Sequence, residues 1–404
     1  MAPSLRIAVV TAHPPSNGSL TEYAFHFFRY LRRKPEVDEL ILLGDELPAG
    51  KQYAFDGPGA KVTVDPCWRF DAIDNAWRIR NAVRKHKPDA VFFNIQFASF
   101  GRGKASASLG LSAPWLVKQL GLPTIVLLHN IMETVDLKNA GFGGNKLMES
   151  AIRTFGNAAT RLLLSADLVA LTIPKYVEIL REKYGVDNAL LAPHGSFDES
   201  PQPSLDPPPG PLQIMTFGKF GTYKRVERLI EAFSVMQNSA RPQLELVIAG
   251  TDSPNAAGYL ESMRQRYNDV ANVRFTGYVP EEDVRRIFGE AAVVVFPYTS
   301  TTGSSGVLHQ AGDYAKAVVL PRIGDLAELI AEEGYTGEFF DPDDANSLAN
   351  AIGKIIDYPE HRRQMGLRNY RAARGLPMDE VVDWYLLHFE RLIGERNRSQ
   401  PLPA

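Results

Sequence analysis

The chain has 404 residues, and its hydrophobic fraction of 45% and charged fraction of 23% are those of a folded globular protein long enough for two domains. Its 44 lysines and arginines are balanced by 47 aspartates and glutamates, so the net charge of -3 gives no reason to expect a nucleic-acid partner. One cysteine, Cys67, excludes an internal disulfide framework, and because no signal-peptide pattern or membrane-spanning apolar run is found, we expect a cytoplasmic protein or one peripheral to the inner face of the membrane.

Short runs rich in valine, isoleucine and leucine alternate with longer helical patterns, which is typical of parallel sheets with crossover helices. The strands predicted in the first half of the chain are Arg6–Val10, Glu39–Leu43, Ala90–Asn94, Thr124–Leu128, Leu168–Leu171 and Ala189–Ala192. We therefore predict an α/β domain over residues 1–198.

The turn after the first strand carries one glycine, Gly18, and lacks the Gly-x-Gly-x-x-Gly pattern of dinucleotide-binding sites. Nicotinamide and flavin cofactors are therefore disfavoured, although the Gly18 amide can still bind a phosphate or a sugar. Ser19 and Glu22 have the spacing of a capping box, which predicts a helix from there to Arg33.

This first helix has the sequence EYAFHFFRYLRRK from Glu22 to Lys34, and it has two interpretations. Its aromatic residues can pack on the sheet as part of a first crossover helix, and we favour this interpretation. Its basic end also fits a helix that lies on an anionic membrane and meets a lipid-linked substrate.

A histidine, His129, follows directly after the predicted strand Thr124–Leu128. At the carboxyl end of a parallel strand it can donate to a sugar hydroxyl or take part in proton transfer, whereas a lone histidine is more often structural. Two carboxylates, Glu133 and Asp136, come shortly after it and are candidates for a general base.

Six prolines and a glycine interrupt the pattern at residues 199–211, ESPQPSLDPPPGP, which predicts a linker. A second α/β domain then spans residues 212–378, with strands predicted at Leu212–Phe217, Leu244–Ala249, Asn272–Thr276, Ala292–Pro297, Ala317–Leu320 and Gly337–Phe340. The last helix, residues 379–394, has an apolar face that needs a surface to pack on, and residues 395–404 are predicted to be a flexible tail.

Two lysines, Lys219 and Lys224, follow the strand that is predicted to end at Phe217. A glycine-spaced loop at the end of a strand can place both ammonium groups against a diphosphate. The alternative is that they are solvated loop lysines, and their spacing alone does not decide between the two. The order of residues is not that of a P-loop.

The stretch TTGSSGVLHQ follows the apolar run Ala292–Pro297 and contains no acidic residue. If a helix begins near Gly306, the amides of Gly303 to Val307 and the helix dipole favour an anion at this point. The alternative is a serine-capped helix start in which the glycines serve only the turn.

Together these segments resemble the GT-B glycosyltransferases, and specifically the family-4-like nucleotide-sugar transferases with a glycosyl transferases group 1 domain. The matching segments are MTFGKFGTYKRVERLIEAF, LELVIAG, VRFTGYVPEEDVRRIFGEAAVVVFPY, GVLHQAGDYAKAVVLPRIGDLAELI and GEFFDPDDANSLANAI, with looser matches in the first half. The resemblance implies two Rossmann-like, doubly wound domains facing across a cleft. It assigns the acceptor to the N-terminal domain and the donor to the C-terminal one, with the helix at 379–394 crossing back onto the first.

The resemblance also implies roles for individual residues. Lys219 and Lys224 correspond to the pair that binds the donor pyrophosphate, and His129 to the histidine that contacts the donor sugar. Tyr278 and Val279 correspond to the segment that reads the nucleotide base. Gly18 corresponds to the glycine loop of the first turn.

One motif of the family is changed in this chain. The family has a glutamate, seven residues and a second glutamate, and these two positions correspond to Thr302 and Gln310 here. Gln310 can still bind a ribose. The donor-binding residues expected around it are Thr302, Gly303, Ser304, Ser305 and Gly306.

The resemblance implies a transferase that moves a hexose-type sugar from a UDP- or GDP-linked donor to a hydroxyl of a glycan or lipid-linked saccharide, as in polysaccharide biosynthesis. No metal or other cofactor is expected, because lysines and amides take the place of a cation. Retention is the family's outcome, and inversion would need a base, for which Glu133, Asp136 and His129 are the candidates. Two alternatives stay open: an epimerase or hydrolase of the same fold, and a non-catalytic sugar-nucleotide-binding subunit.

Overall fold

The computed structural model describes residues 4–16, 18, 20–55, 57–134, 146–197, 203–237, 243–253, 256–300, 305–324 and 326–399. The chain divides into two compact units. Residues 1–194 and 378–404 form the first unit, and residues 195–377 form the second.

The first unit contains a seven-stranded sheet in the order β3-β2-β1-β4-β5-β6-β7, in which every neighbouring pair is parallel. Its strands are Leu5–Val10 (β1), Val37–Asp45 (β2), Lys61–Trp68 (β3), Ala90–Ile95 (β4), Thr124–Leu128 (β5), Leu168–Leu171 (β6) and Ala189–Leu191 (β7). Its helices are Thr21–Leu31 (α1), Asn75–His86 (α2), Lys104–Gly110 (α3), Ala113–Lys118 (α4), Lys146–Leu163 (α5), Pro174–Tyr184 (α6) and, at the end of the chain, Met378–Ser399 (α14). All six residues of β4 are buried, as expected of a strand covered by helices on both faces.

The second unit contains a six-stranded parallel sheet in the order β10-β9-β8-β11-β12-β13. Its strands are Leu212–Phe220 (β8), Leu244–Asp252 (β9), Val273–Gly277 (β10), Ala291–Val295 (β11), Ala317–Pro321 (β12) and Glu338–Phe340 (β13). Its helices are Glu227–Gln237 (α7), Tyr259–Arg266 (α8), Glu281–Glu290 (α9), Gly306–Asp313 (α10), Leu326–Glu332 (α11), Ala345–Ile356 (α12) and Pro359–Arg374 (α13). The two parallel α/β units confirm the predicted fold class of doubly wound domains.

Helix α1 packs inside the first unit, as the favoured interpretation predicts. Four of its aromatic side chains are buried: Tyr23, Phe27, Phe28 and Tyr30. The Phe27 ring lies 4.7 Å from that of Phe92 in β4, and Lys34 beyond the helix forms ion pairs with Asp379 and Asp383 of α14. The membrane interpretation of this helix is wrong, because its aromatic face is already covered by the sheet and α14.

The start of α1 differs from the predicted capping box. The helix begins at Thr21, and its N-cap is Leu20, with φ of 65° and no side-chain hydrogen bond to the first turn. Ser19, the predicted cap, lies outside the described residues. The helix ends at Leu31, two residues before the predicted end at Arg33.

Strand β3 was not predicted from the sequence. Among the described strands it pairs only with β2, at the edge of the sheet. Most of its residues are partly or fully exposed, and it contains Pro66. An edge strand with one solvated face lacks the continuous apolar run of a central parallel strand, and proline is tolerated there.

The boundaries of the units also differ from the predicted 1–198, 199–211 and 212–378. The chain enters the second unit at Gly195 and leaves it at Pro377, where the Ser196 amide donates to the Leu376 carbonyl over 2.7 Å. The described part of the proline-rich stretch, residues 203–211, belongs to the second unit, and Asp206 there accepts a hydrogen bond from Arg363.

The final helix is longer than predicted. It continues past residue 394 to Ser399, so the first five residues of the predicted tail are helical. An ion pair between Arg391 and Glu395, one turn apart, supports this extension. In the described ranges, no helix is long and apolar enough to cross a membrane.

Candidate active site

The two predicted lysines lie in different surroundings at the carboxyl end of β8. The strand continues three residues beyond the predicted end at Phe217, because Gly218, Lys219 and Phe220 pair with residues 250–252 of β9. Lys219 is therefore a strand residue and not a loop residue, and its side chain is exposed. The prediction that both lysines share one loop is wrong in this respect.

Lys224 lies in the turn after β8 and is 9% exposed. Its Nζ lies 4.9 Å from the centre of the Tyr298 ring and 5.9 Å from that of Tyr223, so the cation faces two aromatic rings. A Cβ on Gly218 would lie 2.8 Å from the same Nζ, which shows that the ammonium rests against the backbone of the strand end. The position is that of a cation held in place, not of a solvated loop lysine.

The turn after β8 is hydrogen-bonded to the segment after β11. The Arg225 amide donates to the Pro297 carbonyl over 2.9 Å, and the Thr299 amide donates to the Tyr223 carbonyl over 2.8 Å. The Tyr298 hydroxyl lies 3.4 Å from the Ser305 hydroxyl. Because β8 and β11 are neighbours in the sheet, the two turns that were predicted to bind anions lie side by side.

Helix α10 begins in this second turn. Ser305 is its N-cap, and the first turn has neither an acidic residue nor a side-chain cap. The amides of Leu308 and His309 both donate to the Ser305 carbonyl, whereas those of Gly306 and Val307 have no acceptor in the part of the chain that the structure describes. The serine-capped alternative is therefore wrong for Ser305, and free amides at this point favour an anion.

The remaining residues of this stretch are only partly described. Thr302, Gly303 and Ser304 lie outside the described residues. Gln310 lies in α10 and is 3% exposed. Its neighbour His309 is buried against Tyr335, with 2.9 Å between His309 Nδ1 and the Tyr335 hydroxyl, and is a core residue.

The predicted base-reading segment follows β10, which ends at Gly277 with φ of 72°. Tyr278 is 77% exposed. Val279 is partly buried and packs on the core that includes Phe296 and Leu308. An exposed ring after a strand end leaves a flat apolar surface, which suits stacking.

In the first unit, the half-buried His129 ends a hydrogen-bond chain whose other side chains are buried. His129 Nε2 lies 2.7 Å from Asn94 Oδ1, Asn94 Nδ2 donates to Thr11 Oγ1 over 3.0 Å, and Thr11 Oγ1 donates to the Ala12 carbonyl over 3.0 Å. Asn94 and Thr11 are each 2% exposed. The Tyr23 ring lies 4.8 Å from that of His129.

The pKa of His129 is lowered to about 3, mainly by burial and to a smaller extent by the nearby His194. At neutral pH the imidazole is therefore uncharged. A group with so low a pKa is a weak base near pH 7, so His129 fits hydrogen bonding better than general base catalysis.

The backbone amide of Gly18 forms a hydrogen bond within the turn after β1. It donates to Ser16 Oγ over 2.9 Å, and Ser16 Oγ donates to Asp45. A Cβ on Gly18 would lie 2.6 Å from that of Ala12, so the glycine is needed for packing. In this structure the Gly18 amide is therefore not available for the phosphate or sugar that was predicted to bind it.

The candidate bases do not form a free pair. Glu133 is 4% exposed in its side chain, and its Oε1 accepts from Lys183 Nζ and from the Tyr184 hydroxyl. This carboxylate belongs to a structural network with α6. Asp136 lies outside the described residues.

Sequence reasoning missed Asn94, Thr11 and Tyr298. Each follows or ends an apolar strand: Asn94 is the polar residue near the end of β4, Thr11 follows β1, and Tyr298 comes shortly after β11. A polar residue at the carboxyl end of a buried parallel strand is the signal that identifies such positions.

The comparison with protein families decides the class of enzyme. Residues 198–372 match the family model described as glycosyl transferases group 1. The chain is a glycosyltransferase. The match covers nearly all of the unit that holds Lys224 and the start of α10.

A curated relative shows the same class of activity in its name. The D-inositol 3-phosphate glycosyltransferase of Thermobifida fusca (strain YX) is 25% identical to this transferase over 311 residues, which are 71% of this chain and 70% of the relative.

Two solved structures share the fold across nearly the whole transferase. Sucrose-phosphate synthase from Thermosynechococcus elongatus has a TM-score of 0.69 at 18% identity and covers 97% of this chain and 100% of its own. HepE of Anabaena, solved in complex with UDP-glucose, has a TM-score of 0.67 at 15% identity and covers 96% of this chain and 100% of its own. The transferase therefore has the two parallel-sheet α/β domains of the GT-B fold.

Proposed function

We propose that this glycosyltransferase moves a hexose-type sugar from a UDP- or GDP-linked donor to a hydroxyl of a glycan or lipid-linked saccharide, in polysaccharide biosynthesis. The observation that carries the proposal is the position of Lys224. Its buried ammonium lies in a turn that is hydrogen-bonded to the segment leading into α10. The Gly306 and Val307 amides of that helix have no acceptor among the described residues, and its first turn has no carboxylate. These groups provide the charge and the donors that a pyrophosphate needs.

Leaving-group stabilisation is the proposed source of catalysis. As the bond between the sugar and the diphosphate breaks, negative charge grows on the diphosphate oxygens. Lys224 and the Gly306 and Val307 amides are fixed before the reaction, so they stabilise that charge without reorganising. Lys219, exposed on the same strand end, is the second proposed cation.

The rest of the donor is assigned to neighbouring segments. We assign the nucleotide base to Tyr278 and Val279 and the ribose to Gln310. The transferred sugar is assigned to residues 302–305 and His129. No metal or other cofactor is part of the proposal, because the lysines and amides take over the role of a cation.

Retention of configuration is the proposed stereochemical outcome. Inversion needs a base that activates the acceptor hydroxyl. His129 is neutral with a pKa of about 3, and Glu133 is bound by Lys183 and Tyr184, so neither described candidate fits this role.

The function is tested with a panel of UDP-, GDP-, ADP- and TDP-sugars that begins with UDP-glucose. We expect one donor to raise the melting temperature and to give a glycoside only when a saccharide acceptor is present. The anomeric coupling in the proton NMR spectrum of the first-formed product should match that of the donor.

Other outcomes of this panel contradict the proposal. Donor consumption without an acceptor indicates an epimerase or a hydrolase. A thermal shift without turnover, for every donor and acceptor tried, indicates a non-catalytic binding subunit. An anomeric configuration opposite to that of the donor contradicts retention.

A further inference from the structure

We infer that Asn94 and Thr11 are positioning residues that fix the tautomer of His129, so that its Nδ1 accepts a hydrogen bond from a hydroxyl of the donor sugar. The identity of the ligand rests on the proposed function. The tautomer rests on the geometry of the first unit alone.

The direction of the hydrogen-bond chain follows from its last member. The Ala12 carbonyl can only accept, so the hydroxyl hydrogen of Thr11 points to it over 3.0 Å. Thr11 Oγ1 then offers only a lone pair to Asn94. It must receive its hydrogen bond from Asn94 Nδ2, also at 3.0 Å.

This orientation of Asn94 sets the proton on His129. With Nδ2 turned toward Thr11, the atom that faces His129 is Oδ1, an acceptor, at 2.7 Å from Nε2. Nε2 therefore carries the proton, and Nδ1 carries a lone pair. The reverse orientation, with the Thr11 hydroxyl donating to Asn94, leaves the Ala12 carbonyl without its hydrogen bond and makes two bonds instead of three.

The surroundings keep the imidazole neutral. His129 is packed against Tyr23 of α1 and near His194, with 4.8 Å and 6.1 Å between ring centres. Both lie on elements other than the strand end that carries His129, and neither supplies a negative charge at neutral pH. The pKa of His129 is lowered to about 3, chiefly by burial, so the neutral tautomer holds throughout the physiological range.

The tautomer of His129 determines which group of the donor sugar can bind to it. His129 is half-buried, and Nδ1 has no partner among the described residues, so it is the ring atom left for a ligand. The unprotonated Nδ1 can accept a hydrogen bond from a hydroxyl, but it cannot bind a group that only accepts. A nucleotide sugar should bind more weakly when the hydroxyl that donates to Nδ1 is removed or methylated. The affinity for the free nucleotide, which lacks the sugar, should not change.

The tautomer is measured directly by two-dimensional NMR of the full chain labelled with 15N-histidine at pH 7. The His129 signals are assigned by their loss in His129→Gln. We expect His129 to show the Nε2–H form. His13 is an internal reference of the opposite kind, because its Nδ1 donates to the Pro14 carbonyl over 3.0 Å. An Nδ1–H form of His129 overturns the inference, whether or not the chain binds a nucleotide sugar.

Variants of Thr11 distinguish a role in positioning His129 from a role in folding. Thr11→Val keeps the shape of the side chain but removes the hydroxyl. We expect it to weaken binding of the nucleotide sugar roughly tenfold while the affinity for the free nucleoside diphosphate stays unchanged. Thr11→Ser, which keeps the hydroxyl, should restore binding. Equal loss for both ligands, or no loss for either, contradicts positioning.

A second variant covers the case in which Thr11→Val does not fold. Asn94→Asp accepts from Nε2 in either orientation and adds a negative charge beside the ring, so the pKa of His129 should rise into a range that NMR can titrate. If the pKa of His129 in Asn94→Asp stays at its wild-type value, Asn94 does not contact His129 Nε2 and the inference is wrong. This readout does not depend on any sugar nucleotide, so it also distinguishes a failure of the inference from a failure of the proposed function.

Discussion

At the scale of single residues, chemistry in this transferase is set by what surrounds each side chain. Lys224 and Lys219 are five positions apart in sequence, yet the first is buried against two tyrosines and the second is exposed. His129 is neutral because loss of solvent around its half-buried ring lowers its pKa, and the Gly18 amide is occupied because it donates to Ser16. The sequence shows the residue types, whereas the neighbours decide their roles.

Two histidines with lowered pKa values predict how stability depends on pH. The pKa of His129 is lowered to about 3 and that of His13 to about 4, in both cases mainly by burial. In the unfolded chain each returns to about 6.5, so below that pH the unfolded state binds protons that the folded state does not. Stability should therefore fall as the pH is lowered from 7 toward 4.

Thermal unfolding of the wild type and of His129→Gln between pH 7 and pH 5 tests this dependence. One such group contributes up to about 1.4 kcal/mol per pH unit, so the variant should lose stability less steeply. His361→Gln is the control, because His361 is an exposed histidine that is paired with Glu338. Equal slopes for the wild type and His129→Gln would show that His129 is not held neutral.

At the scale of elements, the close approach of β8 and β9 fixes the strand end that carries both lysines. Gly218 and Gly250 are opposite each other in the register. A Cβ on Gly250 would lie 1.9 Å from the Gly218 carbonyl oxygen, and Gly250 has φ of 134°. Only glycine fits here, because both the space and the backbone conformation exclude a side chain.

Gly250→Ala should therefore destabilise the second unit by about 3 kcal/mol or more, since the clash is with backbone. The matched control is Gly289→Ala in α9, where a Cβ meets nothing within 4 Å and alanine is the better helix former. We expect the control to be neutral or slightly stabilising. Urea unfolding of the two variants gives the comparison, and similar stabilities would contradict the assigned register.

The sequence predicted the central elements well, because a strand buried on both faces is a continuous apolar run. Strands β5 and β6 have the predicted bounds. The exposed edge strand β3 and the last three residues of β8 escaped prediction, because their positions depend on pairing with a neighbour. Likewise, Lys224 could be singled out as a candidate from its spacing, but its burial against Tyr298 and the Asn94–His129 contact arise only in the folded chain.

At the scale of the whole molecule, the two units have different proposed roles. The second unit matches the glycosyl transferases group 1 model and holds the proposed pyrophosphate site. The first unit includes the last helix, whose Tyr385 packs on Phe27 and Phe92, and holds the His129 chain. Loss of the nucleotide should therefore follow from changes in the second unit, and selective loss of the sugar from changes in the first.

Binding of the diphosphate by Lys224 is tested by a calorimetric titration of UDP and GDP into the wild type, Lys224→Met and Lys354→Met. Methionine keeps most of the apolar stem of lysine and removes the charge. Lys354 is an exposed lysine of the same unit, paired with Glu338.

We expect the wild type and Lys354→Met to bind one of the two nucleotides with equal affinity and Lys224→Met to bind it about 10- to 100-fold more weakly, as loss of a charge-assisted contact requires. Unchanged affinity in Lys224→Met, or no binding of either nucleotide by the wild type, would show that Lys224 does not hold a nucleoside diphosphate.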